Sequence, residues 1–386
     1  MKGKELTRRD FIKGAALTGA GLALGSNLLS KLDASAQESV KIYLPLILKA
    51  PTSSRVVHVH DSDATDWNFS TGYYWEHVNQ GAVNNMVDRG VMELTGTGTV
   101  ADAWRALIPN YQSGEKVAIK VNFNNSWDSG CYGSSNRIDA LIEPVNAVIN
   151  GLKAMGVAGA DILIYDAVRV IPYTQFSSRC VDGNVRFVGN YFGPSECHER
   201  STLSSVYVNF SQGGIPAQRI AGELIGAAHL INMPIMKGHG FGGVTLGFKN
   251  HFGTIENPNG LHPYIVFSSS QYSSSYNPMV DIYLNTHIRD KTRLIIGDGL
   301  FGNWVTNTDE PRSWSTFGGA PNSLFFATDP VAIDSVMADF ILAERDLNSH
   351  TWDYLSLAAA AGLGTFERGD PWGSGYSQIE YVRIDL

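Results

Sequence analysis

The sequence predicts an α/β fold, a mostly parallel sheet with crossover helices and loop-rich insertions. Three observations carry that expectation. Apolar runs with strand alternation recur between segments of helical spacing, first in Lys116–Phe123 (KVAIKVNF), Ile138–Met155 (IDALIEPVNAVINGLKAM) and Asp161–Tyr165 (DILIY). Strand–helix–strand order of this kind makes a parallel pair joined by a crossover. The predicted strands repeatedly end in a charged or hydrogen-bonding residue, as expected where loops at strand ends build a site. Finally, 386 residues with a 44% apolar fraction suffice for a large core, and 40 glycines supply many tight turns.

The N-terminus is read as a targeting segment. Thr7-Arg8-Arg9-Asp10-Phe11-Ile12-Lys13 resembles the twin-arginine export signature; a Gly/Ala-rich apolar stretch follows from Gly14 to Leu29, and Ala34-Ser35-Ala36 offers small residues for cleavage. Residues 1–36 are therefore read as a signal peptide, 37–55 as a linker or edge strand, and 56–386 as a single α/β domain. A retained anchor is the alternative to cleavage. Export past the cytoplasmic membrane, to the periplasm or beyond, follows, with the twin-arginine translocation machinery as a partner.

Val56–His60 (VVHVH) alternates as a strand. Val83–Leu107 is helical with a Gly/Thr break at Thr95–Thr99. After the strand–helix–strand unit, with Gly156 ending its helix, Val185–Val188 and Val206–Phe210 are strands around a loop-rich insertion. Ala228–Met236 reads as a strand and Gly243–Phe252 as a helix. Phe267–Asn277 is a serine-rich loop, and Pro278–His287 a helix. Leu294–Gly297 and Leu324–Ala327 are strands, Val331–Glu344 and Trp352–Ala361 helices, and Ile379–Ile384 a final strand.

Candidate site residues stand at the predicted strand ends: Lys120 and Asn122, Asp166, Lys237 and His239, Asp298, and Thr328 with Asp329. If the strands are parallel neighbours, these groups share one mouth. Asp329-Pro330 also reads as the cap and first turn of the Val331 helix. Asp334, one turn further on, either faces the site or suits the positive helix start.

The stretch INMPIMKGHGFGGVTLGFKNHFGT (Ile231–Thr254) is the densest. Gly238, Gly240 and Gly243 have G-x-G-x-x-G spacing. Before a helix, this turn, with Gly242, would aim N–H groups at an anion flanked by Lys237 and Lys249. As a dinucleotide fingerprint it lacks the acidic residue expected on the next strand. Val244, Phe248 and Phe252 form a core stripe with His251 at its edge, leaving Lys249 and Asn250 free to reach a groove. His239, in the glycine turn itself, is the preferred acid–base group or metal ligand. The proposed catalytic set is His239, Lys237, Asp166 and Asp298; Lys120, Asn122, Gly238, Gly240, Gly242, Gly243, Lys249 and Asn250 are the ligand-binding set.

Other signals narrow the chemistry. His58 and His60 lie on one side of a strand, which suits a metal but equally an ordinary exposed face. Removing the signal's net +3 from the chain's −8 leaves a mature charge of −11, with no basic run and hence no expected nucleic-acid partner. Without any C-x-x-C, neither an iron–sulfur cluster nor a four-cysteine zinc site is encoded. Cys180–Cys197 is the expected disulfide, with Cys131 free; three unpaired thiols is the alternative. No nucleophile elbow, H-E-x-x-H helix or P-loop is present.

Lys116–Asn122 (KVAIKVN), Asn232–Thr254, Gly297–Gly299 (GDG) and Thr328–Asp334 (TDPVAID) resemble the domain of unknown function 362 family. The K-x-H turn followed by K-N-x-x-G is the most specific part of the likeness. The resemblance implies an α/β fold and no established activity. Some relatives carry ferredoxin-type cysteines, which this chain lacks. The export route carries folded proteins, often cofactor-loaded, which keeps a divalent metal or organic cofactor in view. Two functions fit: an enzyme acting on an anionic or carbonyl-bearing small molecule, or a non-catalytic exported binding protein using Trp67–Trp75 or Ser268–Ser275.

Overall fold

A computed structural model describes residues 54–126, 131–193, 196–240 and 242–386; the signal, and the predicted linker as far as residue 53, fall outside them. The strands are β1 (Ser54–His60), β2 (Val117–Lys120), β3 (Ile162–Asp166), β4 (Arg186–Gly189), β5 (Glu199–Arg200), β6 (Leu203–Val208), β7 (Gln218–Ala221), β8 (His229–Asn232), β9 (Ile235–His239), β10 (Gly243–Thr245), β11 (Thr292–Asn303), β12 (Ser323–Ala327) and β13 (Ile379–Asp385). Eleven of them form one sheet in the order β13-β1-β12-β11-β8-β2-β3-β4-β5, with β9 beside the later part of β11 and β10 on β9. β6 and β7 make a separate ribbon. The sheet is mostly parallel. β12 runs against both neighbours, and β10 against β9.

Alternation places the sheet between two cores. Val57, Val59, Val117, Ile119, Ile162, Ile164, Leu294 and Ile296 project to one face, where helices Gln80–Thr95, Val100–Leu107 and Ile142–Met155 cover them. Val56, Ala118, Leu163, Tyr165, Leu230, Ile295 and Phe325 project to the other, beneath helices Pro278–Leu284, Pro330–Glu344 and Asp353–Ala360. Sheets buried on both faces need apolar residues at both parities, and these strands have them. Gly156, in the left-handed region at φ 108°, ends the first crossover helix as the sequence predicts.

Several expectations are corrected. The predicted Ala228–Met236 strand is two strands, because Pro234, between them, has no N–H for a ladder. The segment expected to be a Gly243–Phe252 helix is instead a hairpin, β9–β10, then a four-residue helix Gly247–Asn250 and a 3-10 turn His251–Thr254. The disulfide joins Cys131 to Cys197, and Cys180 is the free cysteine. Proximity in sequence misled there: β4 and the turn after β3 carry Cys197 back to the segment that holds Cys131, whose carbonyl accepts from the Tyr173 N–H. The strand carrying His58 is interior rather than exposed. His58 is fully buried, with Nδ1 2.7 Å from the Tyr381 hydroxyl and Nε2 2.8 Å from Ser323 Oγ, so both ring nitrogens are engaged.

Candidate functional site

Strand direction sorts the strand-end residues. β2 continues to β3, β4 and β5 on one side while β8 lies on its other side, so strand order reverses beside β2. Such a reversal opens a crevice beyond the carboxyl ends of the strands. Lys120, Asn122 and Asp166 stand there. Thr328 and Asp329 do not: β12 is antiparallel, so its carboxyl end is at the opposite edge of the sheet. Asp329 caps a helix, accepting from the Val331 and Ala332 N–H groups at 2.9 Å, as the capping alternative predicts.

At the crevice a buried polar knot replaces apolar packing. Lys120 Nζ is fully buried and donates to Asp166 Oδ2 at 3.0 Å and Asn250 Oδ1 at 3.3 Å. Asn122 Nδ2 also donates to Asn250 Oδ1, at 3.2 Å. Asn250 Nδ2 in turn donates to Asn232 Oδ1 at 2.7 Å, and Asn232 Nδ2 to the Gly247 carbonyl at 3.0 Å. From the other side Asp334 accepts from the Gly247 and Phe248 N–H groups at 2.8 and 3.1 Å and from the Tyr354 hydroxyl at 3.1 Å. A helix of four residues has little stability of its own. Asn232 and Asp334 clip it in place.

Within this segment Gly253 gives way to the ion pair. A Cβ there would lie 2.6 Å from Lys120 Nζ and 2.7 Å from Asp166 Oδ1. The K-N-x-x-G spacing thus has a physical reading: Lys249 faces the crevice, Asn250 ties three loops, and Gly253 leaves room for the buried pair.

Lys249 has a different environment from Lys120. It is buried, its Nζ sits 4.1 Å from the centre of the Phe252 ring and 3.5 Å from His262 Nε2, and among the described residues no carboxylate lies within ion-pair distance of it. Burial, then repulsion from Arg169 and Lys237, lowers its pKa to about 7. His262 is depressed to about 4 by burial and then by Lys249, so it is neutral at pH 7 and can accept from the ammonium. The cleft around them is lined by Asn122, Asn124, Asp166, Arg169, Thr245, Lys249, Asn250, Phe252, Asn259, His262 and Asn307, among others. Its cavity volume of about 50 Å³ is the size of a few waters or a small anion. Among the described residues that line the cleft Asp166 is the sole carboxylate, and it is already held by Lys120. Asn122 Oδ1 and Thr245 Oγ1, both from lining residues, are buried without a hydrogen-bond partner among the described residues.

The remaining predicted residues lie behind this wall. His239 stacks on His262 with ring centres 6.1 Å apart, and its Nδ1 accepts from the Gly242 N–H at 3.0 Å. Burial, followed by the Lys249 charge, keeps its pKa well below the ordinary histidine value. Lys237 is buried and donates to the Ile138 carbonyl at 3.2 Å; burial pulls its pKa down against the opposing charge of Asp139. Burial likewise pushes Asp139 up, with Lys237 opposing. Asp298 lies within β11, opposite Ile235, and accepts from the Leu300 N–H at 3.0 Å; burial raises its pKa to about 7. Neither it, Lys237 nor His239 is among the residues that line the cleft.

The glycine turn is a correction. It closes a hairpin instead of opening a helix, because Gly243 pairs with His239 and Thr245 with Lys237. Gly238 serves close approach: a Cβ would meet the Trp304 carbonyl at 2.7 Å. Gly243 has φ +81°, with Thr351 Oγ1 2.2 Å from where a Cβ would be. A Cβ on Gly240 would meet nothing within 4 Å, and none of the four glycines is a lining residue. Sequence reading missed Arg169, His262, Asp139, Asn124 and Asn307. Following the chain three residues past Asp166 reaches Arg169; His262 and Asn307 sit in irregular segments with no periodicity to flag them.

The architecture is that of an α/β protein with a small cationic cleft at a strand-order reversal. The chain belongs to the domain of unknown function 362 family, whose model matches residues 117–339. A twin-arginine translocation pathway signal sequence matches residues 5–25, and the protein is exported across the cytoplasmic membrane. Among the described residues no helix is long and apolar enough to cross a membrane. No curated protein matches the chain. Among solved structures it is similar to the lactate racemase apoprotein from Thermoanaerobacterium thermosaccharolyticum, at 14% identity and a TM-score of 0.39, over 69% of this chain and 56% of that one. The chain thus spans little more than half the length of that protein, and a likeness this distant says nothing of activity.

Proposed function

We propose that this exported protein is an enzyme that binds a small anionic, carbonyl-bearing molecule in the cleft and acts on it through Lys249. One observation carries the reading: a buried lysine with pKa near 7 and, among the described residues, no carboxylate partner, beside a neutral histidine. An amine of that kind is part protonated at neutral pH, so it can attract an anion or, as the free base, attack a carbonyl. Arg169 adds positive charge to the same wall, while the unpartnered Asn122 and Thr245 oxygens await a ligand's polar groups. Lys120 and Asp166, neutralising each other, hold the wall. His239 would support His262 from behind, and Lys237, Asp139 and Asp298 would set the field beneath.

The second reading is a non-catalytic binding protein. It is favoured by the engagement of Asp166 with Lys120, which leaves no free carboxylate on the wall among the described residues. The two readings have opposite pH slopes. Anion binding weakens as pH rises through about 7 and Lys249 loses its proton, whereas carbonyl attack strengthens over the same range. The test incubates wild type and Lys249→Ala with pyruvate or acetate, follows melting temperature, then treats the pyruvate samples with borohydride and maps adducts by mass spectrometry. A borohydride-fixed adduct on Lys249 supports the enzyme. Melting shifts with both anions and no adduct support the binder. Indifference of wild type to every anion tried sinks both.

A further inference from the structure

A second cluster of chemistry-bearing side chains lies apart from the residues that line the cleft. One sulfur each from Cys131 and Cys197 and one ring nitrogen of His198 lie within 4.8 Å of one another. The two sulfurs are joined as a disulfide. His198 is the informative member. It is 9% exposed, its Nδ1 is 2.8 Å from the Glu199 carbonyl, and its Nε2 is buried with no hydrogen-bond partner among the described residues. An Nδ1–H donated to a backbone carbonyl fixes the tautomer with the lone pair on Nε2, the arrangement that orients a metal-ligating histidine. Burial lowers its pKa, which keeps the ring neutral. A buried, unprotonated nitrogen without a partner costs free energy that a ligand would recover. Gly189 leaves room for the ring: a Cβ there would meet His198 Cε1 at 2.9 Å and the Arg169 carbonyl at 2.8 Å.

We propose that Cys131, Cys197 and His198 are a thiol-gated site for a zinc-class cation, shut by the disulfide and opened by its reduction. The step balances. A dithiol reductant gives two electrons and two protons to the Cys131–Cys197 bond, becoming a disulfide itself and leaving two thiols. A divalent cation then displaces both thiol protons and takes two thiolates and His198 Nε2, with water free to complete a four-coordinate set. Reoxidation by a disulfide oxidant returns two electrons to that oxidant and releases the cation. The export signal gives the gate a setting. A chain that folds before translocation does so where thiols stay reduced, and it arrives where disulfides persist. The site would hold metal in the first compartment and lose it in the second.

The test uses the full chain, reduced under nitrogen or oxidised, titrated with Co²⁺ and then Zn²⁺. Reduced wild type should take one Co²⁺ per chain with a sulfur-to-cobalt charge-transfer band, and Zn²⁺ should displace it. The oxidised chain should show no such band. His198→Ala should weaken the reduced site by at least the roughly tenfold that loss of an outer partner costs. Cys180→Ser should leave it unchanged, because Cys180 is the free cysteine outside the cluster. Absence of the band in reduced wild type, or equal affinity in reduced His198→Ala, overturns the proposal. The comparison of redox states needs no variant, so a mutant that fails to fold does not rescue the idea.

Discussion

Asp166 and Asp329 look alike in sequence, each following an apolar strand, yet they stand at opposite edges of one sheet. Asp166 ends β3, which runs with its neighbours, and there it neutralises a buried lysine beside the cleft. Asp329 follows β12, the strand that runs against both of its neighbours, and spends its oxygens on the Val331, Ala332 and Thr365 N–H groups and on the Ser54 hydroxyl. A polar residue after a strand therefore marks a site only when strand direction is known.

The comparison can be broken experimentally. Asp166→Asn should have the largest effect, because it strands the Lys120 charge in a fully buried position; about 3–5 kcal/mol of stability should disappear in denaturant melts. A loss under 1 kcal/mol would mean that Lys120 gives up its proton or reaches water once its partner is gone. Gly253→Ala should cost about 1–3 kcal/mol by crowding the same pair, and should also blunt any anion-induced melting shift. Asp329→Ala should cost about 1 kcal/mol as a lost helix cap while leaving that shift intact. Equal damage to the shift from both aspartates would erase the distinction between the two edges.

Lys249→Met should have the smallest effect on stability near neutral pH. Its sign is informative. The folded pKa of about 7 lies below the ordinary 10.5, so the unfolded chain holds that proton more tightly. Wild-type stability should therefore gain a component that rises from about pH 7 and is complete only above the unfolded value. Subtracting the variant's pH profile from that of wild type isolates the component. A flat difference would place Lys249 in water.

Much of the fold was legible because both faces of the sheet are buried: parities such as Val117/Ala118/Ile119 and Ile162/Leu163/Ile164 leave strand as the economical reading. Glycine caps and Asp-Pro starts then fixed helix ends near their observed places. Sequence missed the direction of β12, which no local pattern encodes, and the hairpin at Gly243, where helical spacing of Val244, Phe248 and Phe252 is mimicked by a strand, a turn and a short helix all facing one core. Of the candidate site, Lys120, Asn122, Asp166, Lys249 and Asn250 come together around one cleft. Lys237, His239 and Asp298 fall behind its wall because β9 and β11 continue past the point where β2 and β3 stop.

The pairing of β1 with β13 bears on how the molecule is made. Arg55 meets Glu380, 325 positions later, so the second strand to flank β1 is made long after β1 itself. Until then β1 has an open margin, exposed to mispairing with other chains. A translocase that accepts only assembled cargo would take this chain after β13 has docked. Deleting residues 379–386 should therefore strand the precursor in the cytoplasm, even with its arginine pair untouched.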